Sequence, residues 1–231
     1  MGIIIKDLIK KYGDQLALNK VSFSIDQGEV VGLLGPNGAG KSTLMKSITN
    51  AIVPDSGDIL VNNSSVIQNP IETKSQIGFL QENNPLYMEM YVKEYLEFVM
   101  NIRGVKKQRV KEVLEMVGLT PEQHKKIHQL SKGYKQRVGL AQSILSNPEI
   151  LILDEPTNGL DPNQILEIRD LIREISKDKT IILSTHIMQE VEALCSRVIL
   201  LNKGEIVADQ PIEEFKGQYQ SLEEAFQALT K

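Results

Sequence analysis

The chain has 231 residues, 41% of them apolar and 24% charged, with a single cysteine and no tryptophan. That length accommodates one large domain or a domain with a sub-domain, and the ordinary apolar and charged content excludes disorder as the main state. Lysines and arginines number 26 against 30 aspartates and glutamates, a net charge of −4, so no general basic field draws the surface to nucleic acid or anionic lipid and any phosphate chemistry must be local.

In chain order, the first third alternates short apolar runs with turns. Strands are expected at 3–8, 16–25, 29–34 and near 58–61, some of them antiparallel. Val30, Val31, Gly32, Leu33 and Leu34 form a run that is apolar throughout, as suits a strand buried on both faces. It leads through a glycine-rich turn into a helix expected at 41–52. Strand signals vanish between about 83 and 146, where 92–103, 107–117 and 131–145 read as helices joined by short turns. Alternation then resumes, with strands at 150–153, 180–183 and 198–201 and helices from 161 to about 176 and at 188–194. Such alternation implies a parallel sheet. The helix after Asp161 has a clear start, with Asp161 as cap, Pro162 in the first helical position and Gln164 where a capping box places it. Its stripe of Ile165, Ile168, Ile172 and Ile175 keeps the helical period.

No segment approaches the ~18 consecutive apolar residues of a membrane helix. The N-terminal MGIIIKDLIKKYGD, with Lys6, Asp7, Lys10 and Lys11, is no signal-peptide core, so a cytosolic location is the default expectation. The lone Cys195 lacks a disulfide or metal-site partner and reads as a buried or half-buried packing residue.

The chemistry lies in GPNGAGKS, residues Gly35, Pro36, Asn37, Gly38, Ala39, Gly40, Lys41 and Ser42, which fits G-x-x-x-x-G-K-[ST] between a buried strand and a helix. The glycines let backbone N–H groups converge on phosphate oxygens, and the helix N-terminus adds its partial positive charge. Lys41 reaches the β and γ phosphates, and the Ser42 hydroxyl serves a magnesium ion. At the end of a neighbouring strand stands Asp154, placed to position hydrated magnesium, followed by Glu155, which can orient or deprotonate water. A guanine-reading N-K-x-D motif is missing, since the near match Asn202, Lys203, Gly204, Glu205 ends in glutamate.

These residues resemble the ATP-binding cassette (ABC) ATPases, and the resemblance runs nearly the whole chain in the family's order. Tyr12 is similar to the aromatic that stacks on adenine, Gly35 through Thr43 to the Walker A loop, and Gln81 to the Q-loop glutamine, implied to serve catalysis and the metal. LSKGYKQR at 130–137 is similar to the signature, with Ser131 and Gly133 retained, and 150–154 with Glu155 to the Walker B segment. Asp161 then matches the D-loop and His186 the switch histidine. The signature departs from LSGGQ, because Lys132 replaces the first glycine and Tyr134 the glutamine. Lys132 either adds a cation near a partner's γ-phosphate or points to solvent, where most lysines stay hydrated.

The resemblance implies an α/β fold: a P-loop NTPase core with a mainly parallel sheet, an N-terminal antiparallel β sub-domain and an all-helical insert. One ABC ATPase domain would span the chain, with 1–82 and 147–231 as core and 83–146 as the helical sub-domain. It further implies ATP and Mg2+ as ligands, and a head-to-tail dimer with a second ATPase subunit that sandwiches two ATP molecules. In that site Glu155 is the candidate base, His186 and Gln81 assist it, and Ser42, Gln81 and Asp154 serve the metal. Hydrolysis would drive a separate integral-membrane permease from the cytoplasmic side of the membrane, with no nucleic acid involved. Gln136-Arg137 and the closing SLEEAFQALTK resemble the bacterial exporter-type branch. The permease is expected to dock near Gln81 and the segment PLYMEMY, which opens on Pro85 and closes on Tyr91; the same segment also reads as the packed start of the next helix. A nucleotide-controlled structural switch and a soluble ABC-type ATPase with a non-transport partner are the alternatives.

The cluster Lys106, Lys107, Arg109 and Lys111 reads as a solvated helix face, and His124 with His128 lacks the further ligands of a metal site.

Overall fold

The computed structural model describes residues 2–231 and contains two sheets. In the first, β1 (Ile3–Tyr12) and β2 (Gln15–Ile25) form an antiparallel hairpin, β4 (Ser56–Val61) pairs with the other edge of β1, and the two-residue β5 (Ser64–Ser65) extends β4. The second contains β3 (Val30–Leu34), β6 (Ile77–Leu80), β7 (Ile150–Asp154), β8 (Thr180–Ser184), β9 (Arg197–Asn202) and β10 (Glu205–Pro211). Their order is β10-β9-β3-β8-β7-β6, parallel throughout except for the β9–β10 hairpin.

Side chains alternate across this second sheet and feed two cores. Ile150 and Ile152 of β7 join a cluster with Ile3, Ile5 and Ile59 of the first sheet, while Leu151 and Leu153 join the other. Both faces are therefore dry, which is why β7 and β8 are buried at every position. Helix α1 (Lys41–Ile48) lies between the sheets, with Leu44, Met45 and Ile48 in the shared cluster. The expected continuation to residue 52 does not form. Asn50 takes a left-handed φ of 50°, and the N–H of Ala51 turns back to the Lys46 carbonyl at 2.8 Å, which closes the helix.

Short α2 (Pro70–Gln76) precedes β6, and neither is anticipated from the sequence. The helices α3 (Val92–Arg103), α4 (Gln108–Met116) and α5 (Lys132–Ile144) separate β6 from β7. Their apolar stripes join the second core, with Val99, Val113 and Ile144 among its members. α6 (Pro162–Ile175) starts as the sequence indicates, since the Asp161 carboxylate accepts from the Gln164 N–H at 3.0 Å. α7 (Met188–Leu194), α8 (Ile212–Lys216) and α9 (Leu222–Thr230) complete the fold, and Cys195, just after α7, is buried as expected. Burial pushes its thiol pKa up to about 12, with a smaller contribution from Glu190.

The helical segment is seated on the sheet through one glycine. A Cβ at Gly78 of β6 would run into the Ser143 carbonyl oxygen of α5 and come within 2.7 Å of Leu151 Cδ2. Gly78→Ala is therefore expected to lower unfolding free energy by about 2 kcal/mol, because the obstruction is backbone and cannot swing aside. Urea denaturation checks this, and an unchanged midpoint would refute it.

Candidate active site

The end of β3 turns through Gly35 to Gly40 into α1, and its close neighbours fix the turn. A Cβ at Gly35 would collide with the Leu201 carbonyl, and one at Gly40, whose φ is +109°, would lie 2.5 Å from the Ala17 carbonyl oxygen. The N–H groups of Gly38, Gly40, Lys41, Ser42 and Thr43 find no acceptor among the described residues. A concave run of free donors at a helix N-terminus is an anion cradle. Lys41 Nζ folds back over it, donating to the Gly35 carbonyl at 2.6 Å and the Pro36 carbonyl at 3.3 Å. Burial lowers the Lys41 pKa, and the carboxylates of Glu155, Asp154 and Glu82 work against that shift. A bound polyphosphate would relieve the cost of the buried charge.

β7 delivers the acidic side. Asp154 is 5% exposed, and its two oxygens take the Ser42 hydroxyl at 3.2 Å and the Ser184 hydroxyl at 2.6 Å. A buried carboxylate bridged by two neutral hydroxyls suits a hard divalent cation with oxygen ligands, so Ser42 and Asp154 fit magnesium. Glu155 follows in the left-handed region at φ 49°, held by its N–H to the Ser184 carbonyl at 3.0 Å. Its Oε2 lies 2.7 Å from His186 Nδ1. An ionised Glu155 accepts from Nδ1–H, which fixes that tautomer and leaves the other ring nitrogen free.

Tyr12, Asn37, Lys41, Glu82, Asp154 and Glu155 line a cleft of about 290 Å³. Tyr12 stands at its rim, 47% exposed, with the Lys10 ammonium 5.7 Å from the ring centre. Gln81 lines a separate groove of about 780 Å³ with Ile71, Phe79, Ile102 and Gln142. Its neighbour Glu82 lines the cleft and accepts from Asn158 Nδ2 at 3.1 Å. Successive residues of an extended chain face opposite sides, so Gln81 and Glu82 divide between the two spaces. The sequence does not single out Ser184, Glu82 or Asn158, although a hydroxyl closing the apolar strand β8 is a signal for the first.

Ser131 and Gly133 stand apart from this cleft. Ser131 caps α5, its hydroxyl accepting from the Tyr134 N–H at 3.4 Å, and Gly133 packs on the Gln164 side chain. With Tyr134 and Arg137 they line a separate cleft of about 180 Å³. Lys132 is exposed, its ammonium folded over Gly159. In the segment 85–91, Tyr87, Met88 and Tyr91 are exposed, while Leu86 and Met90 pack against the core. No group of histidines, cysteines and acids suited to a metal occurs among the described residues, His124 and His128 included.

Residues 18–158 match the family model described as ABC transporter. The chain belongs to that family. It is 39% identical to the bacitracin transport ATP-binding protein BcrA of Bacillus licheniformis over 221 residues, covering 94% of this chain and 72% of BcrA. A solved ATP-binding subunit of an ABC transporter superposes with a TM-score of 0.91 and 31% identity, over 100% of both chains. The ATP-binding cassette MJ0796, in a dimeric post-hydrolysis state bound to ADP and Pi, superposes with a TM-score of 0.83 and 27% identity, over 91% of this chain and 98% of that one. The protein is thus an ATP-binding, ATP-hydrolysing subunit of an ABC transporter.

The low Lys41 pKa gives a sign to test. A lysine whose folded pKa lies below its unfolded one costs stability while charged, and the cost fades as pH rises through the folded value. Lys41→Met should therefore leave the nucleotide-free Tm no lower at pH 7. It should also remove most of the increase, about 5–10 °C, that saturating ATP gives the unaltered chain. Thermal unfolding with and without ATP measures both, and a full ATP-induced rise in the variant would refute the cradle.

Proposed function

We propose that this chain hydrolyses ATP in a head-to-tail pair with a second copy, each site combining one chain's Walker A cleft with the other's Ser131 and Gly133. The observation that carries this reading is the separation of two half-sites on one chain. Lys41, Asp154 and Glu155 line one cleft, with His186 in contact with Glu155, while Ser131 and Gly133 line another. A γ-phosphate held by Lys41 keeps an open side, and a capped helix N-terminus from a partner completes its anion cage. The dimeric state of MJ0796 supports the pairing.

Within such a site the free amides of residues 38 and 40–43 bind the phosphates, and Tyr12 offers its ring to the adenine. Ser42 and Asp154 would hold a magnesium ion, with Gln81 assisting, and the ion would supply charge neutralisation of the phosphates. Glu155 keeps Oε1 free to take a proton from the attacking water, while Oε2 is held by His186, whose other ring nitrogen faces the γ-phosphate. Positioned bases of this kind contribute roughly 10²–10⁴ in rate, or about 3–5 kcal/mol. Asp161 braces the opposing site.

Transport requires a membrane partner, since no described helix is long and apolar enough to cross a bilayer. We assign the permease contact to the groove beside Gln81 and to the exposed Tyr87, Met88 and Tyr91, which places the chain peripherally on the cytoplasmic side of the membrane. Residues 83–146 act as the helical sub-domain that carries this contact and the signature. The resemblance of the Gln136-Arg137 segment and the chain's end to exporter-type cassettes supports export.

Glu155→Gln tests the base and the pairing together. Steady-state hydrolysis is expected to fall by roughly 10²–10⁴, with ATP affinity retained and an ATP-dependent dimer in gel filtration. Unchanged turnover would remove Glu155 from the mechanism, and a monomer at saturating ATP would remove the composite site.

A further inference from the structure

His186 sits in a three-residue loop between β8 and α7, and its ring is largely in solvent, with 66% of the side chain exposed. Its protein hydrogen bond is the one to Glu155. Where the ring points is therefore decided by the backbone beneath it, and that backbone rests on two buried polar side chains. Thr185 is 2% exposed and Glu190, in the first turn of α7, is 1% exposed. The Thr185 hydroxyl donates to Glu190 Oε2 at 2.8 Å and accepts from the Ile187 N–H at 3.1 Å. The Glu190 N–H in turn donates to the Ile187 carbonyl at 3.0 Å. These bonds clamp the residues on either side of His186 without touching its ring.

The arrangement is costly for a packing role alone. Glu190 Oε1 is buried with no partner among the described residues, and a buried carboxylate whose support is a single neutral hydroxyl is paid for in desolvation. A leucine there would fill the same space between α7 and the sheet at lower cost.

We infer that Glu190 is a positioning residue for hydrolysis, acting through the Thr185 hydroxyl to set the loop that holds His186 against Glu155. The inference rests on the proposed roles of Glu155 and His186. It adds to them a buried pair that never meets the nucleotide.

The test measures ATP hydrolysis by the full chain carrying Thr185→Val, Thr185→Ser, Glu190→Leu or Glu190→Gln, each also combined with His186→Ala. Thr185→Val and Glu190→Leu are expected to lower kcat by about tenfold or more, with KM for ATP moving less than about twofold, since misplacement of a catalytic group acts on the chemical step. Thr185→Ser keeps the hydroxyl and Glu190→Gln keeps an acceptor, and both should retain at least about half the rate. Glu190→Leu should leave the Tm unchanged or higher, so that its loss of rate is not a loss of fold. On the His186→Ala background, Thr185→Val and Glu190→Leu should cost no further rate, because the group they position is gone. Full kcat in both of these variants, or an equal loss with and without His186, would overturn the inference while leaving the composite site standing. Full activity of His186→Ala alone would instead overturn the role of His186, and this inference with it.

Discussion

The parallel register of three strands is the constraint on which the site depends. Leu33 of β3 and Asp154 of β7 both stand opposite Ser184 of β8, so the cradle, the carboxylate and the hydroxyl that holds it end at one level. A slip of one residue would turn Asp154 onto the opposite face of the sheet, because side chains alternate. Burial on both faces makes such a slip prohibitive, since it would exchange the residues feeding the two cores. The apolar runs of β3, β7 and β8 thus define the chemistry as much as the polar residues that follow them.

Charge is distributed unevenly around that level. Although its ammonium donates to the Gly35 and Pro36 carbonyls, Lys41 lies in the field of Glu155, Asp154 and Glu82. Unpartnered amides of the turn offset part of this, and a cation on Asp154 and Ser42 would offset more. Ser131 and the start of α5 open onto a different cleft of the same chain. In the proposed pairing ATP has a structural role as well as a chemical one, because each half-site takes its missing partners from the other chain.

Strong local signals made the centre of this site readable from the sequence. The turn from Gly35 to Ser42, the buried strand ending in Asp154 and the capped start of α6 each combine a residue pattern with a strand or helix boundary, and each forms where expected. Weaker elements escape notice because nonlocal contacts create them. β6 is only four residues long and owes its place to β7 and to α5 riding on Gly78. β10 carries Asp209, which binds Arg197 of β9 at 2.6 Å, a pairing that no local period announces. Side-chain direction is equally nonlocal, as shown by Gln81 in one groove and Glu82 in another. The Thr185–Glu190 pair belongs to the same class, since burial alone distinguishes it from surface residues.

Complementation tests most directly whether each ATP site is shared between chains. Lys41→Ala has a damaged cradle but an intact Ser131, whereas Ser131→Arg has an intact cradle but an obstructed signature. Each variant alone should hydrolyse ATP at background rates, and an equimolar mixture should regain activity, because mixed pairs contain one undamaged composite site. A mixture no more active than its components, or a Ser131→Arg chain that keeps full activity alone, would contradict the shared site.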